Sequence, residues 1–109
     1  MENDKIIMEQ VTISDYLESS GYNKKLYGKL VEAIKANCFK LLRDYPEVEI
    51  CISISAKYQT PIILISENDT IPERIGSFDR AIQEALDEVG FTYIYAEDRS
   101  DYYRIEFED

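Results

Sequence analysis

Histidine and tryptophan are absent from this 109-residue chain, which holds only two cysteines, three prolines and four glycines. Each shortage closes a route. Without histidine, acid–base chemistry near neutral pH usually falls to a carboxylate displaced by burial. The carboxylates lie in predicted turns and on helix faces, where water keeps their ionisation ordinary. Gly21, Gly28, Gly76 and Gly90 are scattered, so no glycine-rich loop exists to cradle a phosphate. Cys38 and Cys51 fall in apolar-patterned segments and read as buried free thiols in a reducing cytoplasm. Cys38 sits on the inward stripe of a helix with no histidine to activate it, which argues against a nucleophile. The longest apolar run, Ile62 to Ile65, falls far short of the roughly 20 residues that a membrane span requires. The opening MENDKIIMEQ is acidic where a signal peptide would begin positive, and none is expected. Glu67, Asp69 and Glu73 lack the ligand spacing and turn glycine of a calcium loop. The expectation is a chain with no catalytic residues, metal or cofactor.

What the chain has is negative charge, tyrosine and regular apolar patterning. Net charge is -10, and it is unevenly placed. Residues 67–109 hold thirteen acidic and four basic side chains, whereas residues 24–43 hold six basic and one acidic. Such a surface opposes phosphate backbones and anionic lipid and favours a cationic partner. Nine tyrosines are present, and Tyr93, Tyr95, Tyr102 and Tyr103 crowd into the last stretch, FTYIYAEDRSDYYRIEFED. An apolar fraction of 45% is that of a globular protein. One domain over residues 1–109 is expected, with residues 1–10 a tail or an edge strand.

The patterning names the elements. Ser14 predicts the cap of a short helix through Glu18, and Asn23 the cap of a second. From Leu26, apolar residues recur at Leu30, Val31, Ile34, Cys38, Leu41, Leu42 and Tyr45, a 3.6-residue period that Pro46 stops. Alternation over Val48–Ala56 predicts a half-buried strand. Ile62–Ile65, apolar on both faces, predicts a strand near the sheet centre. Phe78, Ile82, Ala85, Leu86 and Val89 mark a further helix, capped by Ser77 and stopped by Gly90. The end predicts a hairpin, with Phe91, Tyr93 and Tyr95 alternating against Thr92, Ile94 and Ala96, then a turn over 97–101 and a returning strand. The sum is an α+β fold: a four-stranded antiparallel sheet packed on one face by two helices, in helix–hairpin–helix–hairpin order, plus the short N-terminal helix.

The expected contact surface is the last helix and hairpin, through Asp79, Glu84, Asp87, Glu88, Tyr95, Glu97, Asp98, Asp101, Tyr102 and Glu106. Carboxylates on a rigid scaffold imitate the repeating charge of a nucleic acid and form charge-assisted bonds with arginine. Tyrosine buries apolar area at small entropic cost and keeps a polar tip. In size, charge and single-domain architecture the chain is similar to small acidic inhibitors from phages and mobile elements, including anti-CRISPR proteins and other DNA mimics. That resemblance carries no family motif and transfers no functional residue. It implies a cytoplasmic inhibitor that blocks a basic cleft of a nuclease such as a CRISPR effector. The same description fits an immunity protein against a toxin nuclease, or a structural interaction domain without an inhibitory role. A helix-turn-helix outline in VTISDYLESSGYNKKLYGKLVEAI, with Asn23, Lys24 and Lys25 opening a helix, is the weaker alternative. Direct nucleic-acid or membrane binding is not expected. A homodimer pairing the basic helix of one copy with the acidic hairpin of another is a further option.

Overall fold

The computed structural model describes residues 9–109, so most of the segment expected to be a tail or edge strand lies outside the described residues. The elements run β1 (Val11–Ile13), α1 (Asp15–Ser19), α2 (Lys24–Asn37), α3 (Phe39–Asp44), β2 (Val48–Ile54), β3 (Pro61–Glu67), α4 (Ile75–Val89), β4 (Thr92–Asp98) and β5 (Tyr103–Glu108). The α+β class is as expected. The sheet has five strands rather than four, in the order β1-β2-β3-β5-β4. The added strand, β1, runs parallel to β2, with Val11 opposite Ile50 and Ile13 opposite Ile52; the remaining pairs are antiparallel. Three residues are too few to show a period in sequence, which is why β1 escaped notice.

Register separates a dry face from a second face. Across the sheet, Ile52, Ile63, Ile105 and Ala96 share one row, and Ile50, Ile65 and Tyr103 share the next. These rows join one core cluster with Tyr27, Leu30 and Ile34 of α2 and Phe78, Ile82 and Leu86 of α4. Each such side chain removed from water contributes about 1.5–3 kcal/mol. The opposite face carries the row Thr12, Cys51, Leu64, Arg104 and Glu97, and beside it Ser53, Ile62, Glu106 and Tyr95.

Local chemistry sets the element ends. The Ser14 hydroxyl accepts from the Leu17 N–H at 3.2 Å and bonds the Ser53 hydroxyl at 2.8 Å, tying α1 to β2. The Asn23 side-chain oxygen Oδ1 accepts from the Leu26 N–H at 3.1 Å, starting α2. The helix expected to run on to Tyr45 instead breaks at Cys38, whose φ and ψ are -101° and 8°. Beside the break, the Asn37 side chain donates to the Ala33 carbonyl at 2.8 Å and competes with the helical ladder. α4 begins at Ile75, ahead of the expected Ser77 cap, because the chain already winds from Pro72, whose carbonyl accepts from the Ile75 N–H. It ends as expected at Gly90, which takes φ 99° while the Phe91 N–H donates to the Leu86 carbonyl at 2.9 Å.

Candidate functional site

The last hairpin, where contact residues were expected, departs from simple alternation. Tyr93 lies opposite Phe107, but Tyr95 lies opposite Glu106, so Ile94 is an extra residue in a β-bulge. The insertion inverts the parity of everything beyond it. Tyr93, Ala96 and Asp98 share the helix side of β4, whereas Tyr95 and Glu97 share the other side. The expectation that Phe91, Tyr93 and Tyr95 form one face is therefore corrected. The rings divide by role: Tyr93 and Tyr103 pack against the core, and Tyr95 stands 46% exposed beside Ile94 at 45%. Tyr102 is half-buried.

Asp79, expected at the surface, is buried. Its carboxylate accepts from Gln83 Nε2 at 2.6 Å, from the Tyr93 hydroxyl at 3.1 Å and from the Tyr103 hydroxyl. Burial, followed by the effects of Asp79, pushes the Tyr93 phenol up to about 12, and the same causes raise Tyr103. This cluster welds α4 to β4 and β5. Asp79 is thus support for the site and not part of its contact surface. A helical projection contains the clue: Asp79 borders the buried arc of Phe78, Ile82 and Leu86.

The remaining expected acids do not form one patch. Glu84 and Asp87 of α4, with Gln83, flank a groove of about 390 Å³ whose other wall is Phe91, Thr92 and Tyr93. Glu88 turns toward α2, where it accepts from Asn37 Nδ2 at 3.3 Å. On the other side of the sheet, Glu97 already pairs with Arg99 at 3.2 Å and Glu106 with Arg104 at 3.5 Å. The Glu106 carboxylate, as a hydrogen-bond acceptor, is the main cause raising the Tyr95 phenol. Asp98 is exposed at the end of β4. Asp101 and Tyr102 line a depression of about 340 Å³ with Glu49, Asp69, Cys51 and Leu64.

Glu49 and Asp69 lie in the same depression as Asp101 and Tyr102, a grouping the sequence pattern does not reveal. Glu49 was visible on the wet side of its strand, but only the register that sets it opposite Ser66 brings it near the β4–β5 turn. Asp69 occupies a tight turn in which Asn68 and Asp69 take φ values of 46° and 67°, and Glu67 and Thr70 exchange backbone bonds. The turn separates the three acids weighed as a cation site. Glu67 and Glu73 line one depression and Asp69 another, and no metal-holding group occurs among the described residues.

The helix-turn-helix outline opens with a strand, since Val11–Ile13 pairs with β2, and Asn23 is occupied in capping α2. Cys38 is fully buried, which pushes its thiol up to about 12. Cys51, expected to be buried, is half-exposed on the face away from the helices; burial is the main cause raising its thiol. Among the described residues, no helix is long and apolar enough to cross a membrane. The chain matches no protein-family model, and no curated protein or solved structure matches it.

Proposed function

We propose that the protein is a small acidic binding protein that covers a cationic surface of another protein, in the manner of an inhibitor of a nucleic-acid-handling enzyme. The observation that carries this reading is the border of the sheet at β4. Exposed Ile94 and Tyr95 provide apolar and aromatic contact area there, and carboxylates flank the strand: Glu84 and Asp87 on the α4 side, Asp98 and Asp101 toward the turn. Aromatic anchors surrounded by charge suit a protein contact, and the charge speeds encounter with a basic cleft. The split arrangement supports a ridge that inserts into a cleft better than a flat imitation of a nucleic-acid backbone. Internal pairing of Glu97 and Glu106 leaves the α4 and turn acids as the main electrostatic contribution.

The test is affinity capture from the host cell, followed by reconstitution of the captured protein with purified components. The reading expects affinity to fall as salt rises and to fall again in two charge-reversal pairs, Glu84→Lys with Asp87→Lys and Asp98→Lys with Asp101→Lys. It also expects the target to lose nucleic-acid processing when bound. Affinity indifferent to salt and to both pairs would reject the acidic ridge. Undiminished target activity in a saturated complex would reject inhibition.

A further inference from the structure

Beyond its charge, the β4 border is an unfilled main-chain template. β5 lies on one side of β4, and among the described residues no strand lies on the other. The outer N–H and C=O groups of such a strand can pair with an extended segment of another chain. Successive side chains of an added strand point to opposite faces of the sheet. On the helix side they meet the groove of Phe91, Tyr93, Glu84 and Asp87. On the other side they meet Tyr95 and Glu97, with Ile94 exposed at the bulge between.

Each side thus joins a ring to a carboxylate. A lysine can lay its methylenes along Phe91 and Tyr93 and bring its ammonium to Glu84 or Asp87. An arginine can stack on Tyr95. We propose that β4 receives an extended, lysine- or arginine-bearing segment of the partner as a sixth strand, paired main chain to main chain. This rests on the acidic-ridge reading and names how the ridge is engaged. A second copy of this chain fits less well, because pairing β4 with itself would bring two rows of α4 carboxylates together. The Asp79 cluster holds the strand ready by fixing Tyr93 and Tyr103, which limits the ordering cost of binding.

The probe is a ten-residue peptide of alternating lysine and threonine, acetylated and amidated, titrated into the isotope-labelled protein and followed by NMR. Two control peptides replace lysine with glutamate, or carry N-methyl groups on every second residue. The expected result is shifts concentrated in Thr92–Asp98 and slower exchange of the outward β4 amides. Affinity should drop at least about tenfold with N-methylation, since several main-chain bonds are lost. The glutamate peptide should not bind, and Glu84→Lys with Asp87→Lys should weaken the lysine peptide. Equal binding of the N-methylated peptide, shifts centred on Leu64 and Ser66, or no binding of the lysine peptide at millimolar concentration would each overturn strand addition. If strand addition fails while the captured partner still responds to the charge reversals, only this inference falls. Loss of both responses removes the ridge reading as well.

Discussion

Replacing Asp79 with asparagine tests the division between support and contact most directly. The carboxylate receives three side-chain hydrogen bonds, from Gln83, Tyr93 and Tyr103, in a residue only 8% exposed. A hydrogen bond to a charged group is worth about 1.5–3 kcal/mol. Both phenols share one carboxylate oxygen and Gln83 takes the other. An asparagine that keeps its oxygen on the phenols turns its NH₂ toward the Gln83 amide, and every remaining bond loses the carboxylate's charge. Both tyrosines are half-buried, and water replaces part of the loss. The expected net cost is about 2–4 kcal/mol, a large share of the roughly 5–15 kcal/mol that keeps a domain folded. With a urea slope of about 2 kcal/mol per molar, the midpoint should fall by roughly 1–2 M.

Urea unfolding followed by far-UV circular dichroism and by tyrosine fluorescence reads this shift without interference, because the chain has no tryptophan. The exposed Glu84→Gln is the control and should move stability by no more than about 0.5 kcal/mol. A cycle with Tyr103→Phe should show strong coupling between the two positions. An Asp79→Asn midpoint equal to that of the unaltered protein, or no coupling, would refute the claim that this carboxylate joins α4 to the last hairpin.

The phenols predict an alkaline limit: their folded-state pKa values are raised, so the stability they add is complete below the ordinary value of about 10 and is lost as pH climbs through about 12 for Tyr93 and higher for Tyr103. Combining Tyr93→Phe with Tyr103→Phe should flatten the stability profile in that window, as chemical denaturation at stepped pH would show. In the native state at pH 8, iodoacetamide should label Cys51 well ahead of Cys38, read by peptide mass mapping; equal rates would contradict the burial of Cys38. Phe107→Ala should cost about 3–5 kcal/mol, because the ring is fully buried against Phe91 at 5.0 Å; a loss under 1 kcal/mol in urea would contradict that packing. Gly90→Ala should cost about 1 kcal/mol through its left-handed φ, and an unchanged thermal midpoint would argue against the cap geometry.

The parts of the fold readable from sequence are those in which a period repeats. The stripe of α2, the alternation of β2, the doubly apolar β3 and the stripe of α4 each span several turns or pleats, so hydrophobic burial leaves a signature there. The features that escaped are single events. One inserted residue at Ile94 reverses faces without any marker residue, and the break at Cys38 interrupts a stripe that is apolar on both sides of it. The site is the least legible part, because a charged side chain in sequence does not by itself report exposure. Asp79 is buried because two phenols and an amide satisfy it, and Glu97 and Glu106 are paired because arginines two residues away face them. Glu49 and Asp69 reach the Asp101 side of the molecule only through strand register, which the local pattern does not encode.

The two borders of the sheet are unequal: β1 closes one with three residues, and β4 leaves seven along the other. A sheet with two long matching borders can add copies without end and grow into fibres. With one long border only among the described residues, the protein offers no second long border through which its own copies could be joined in an endless row.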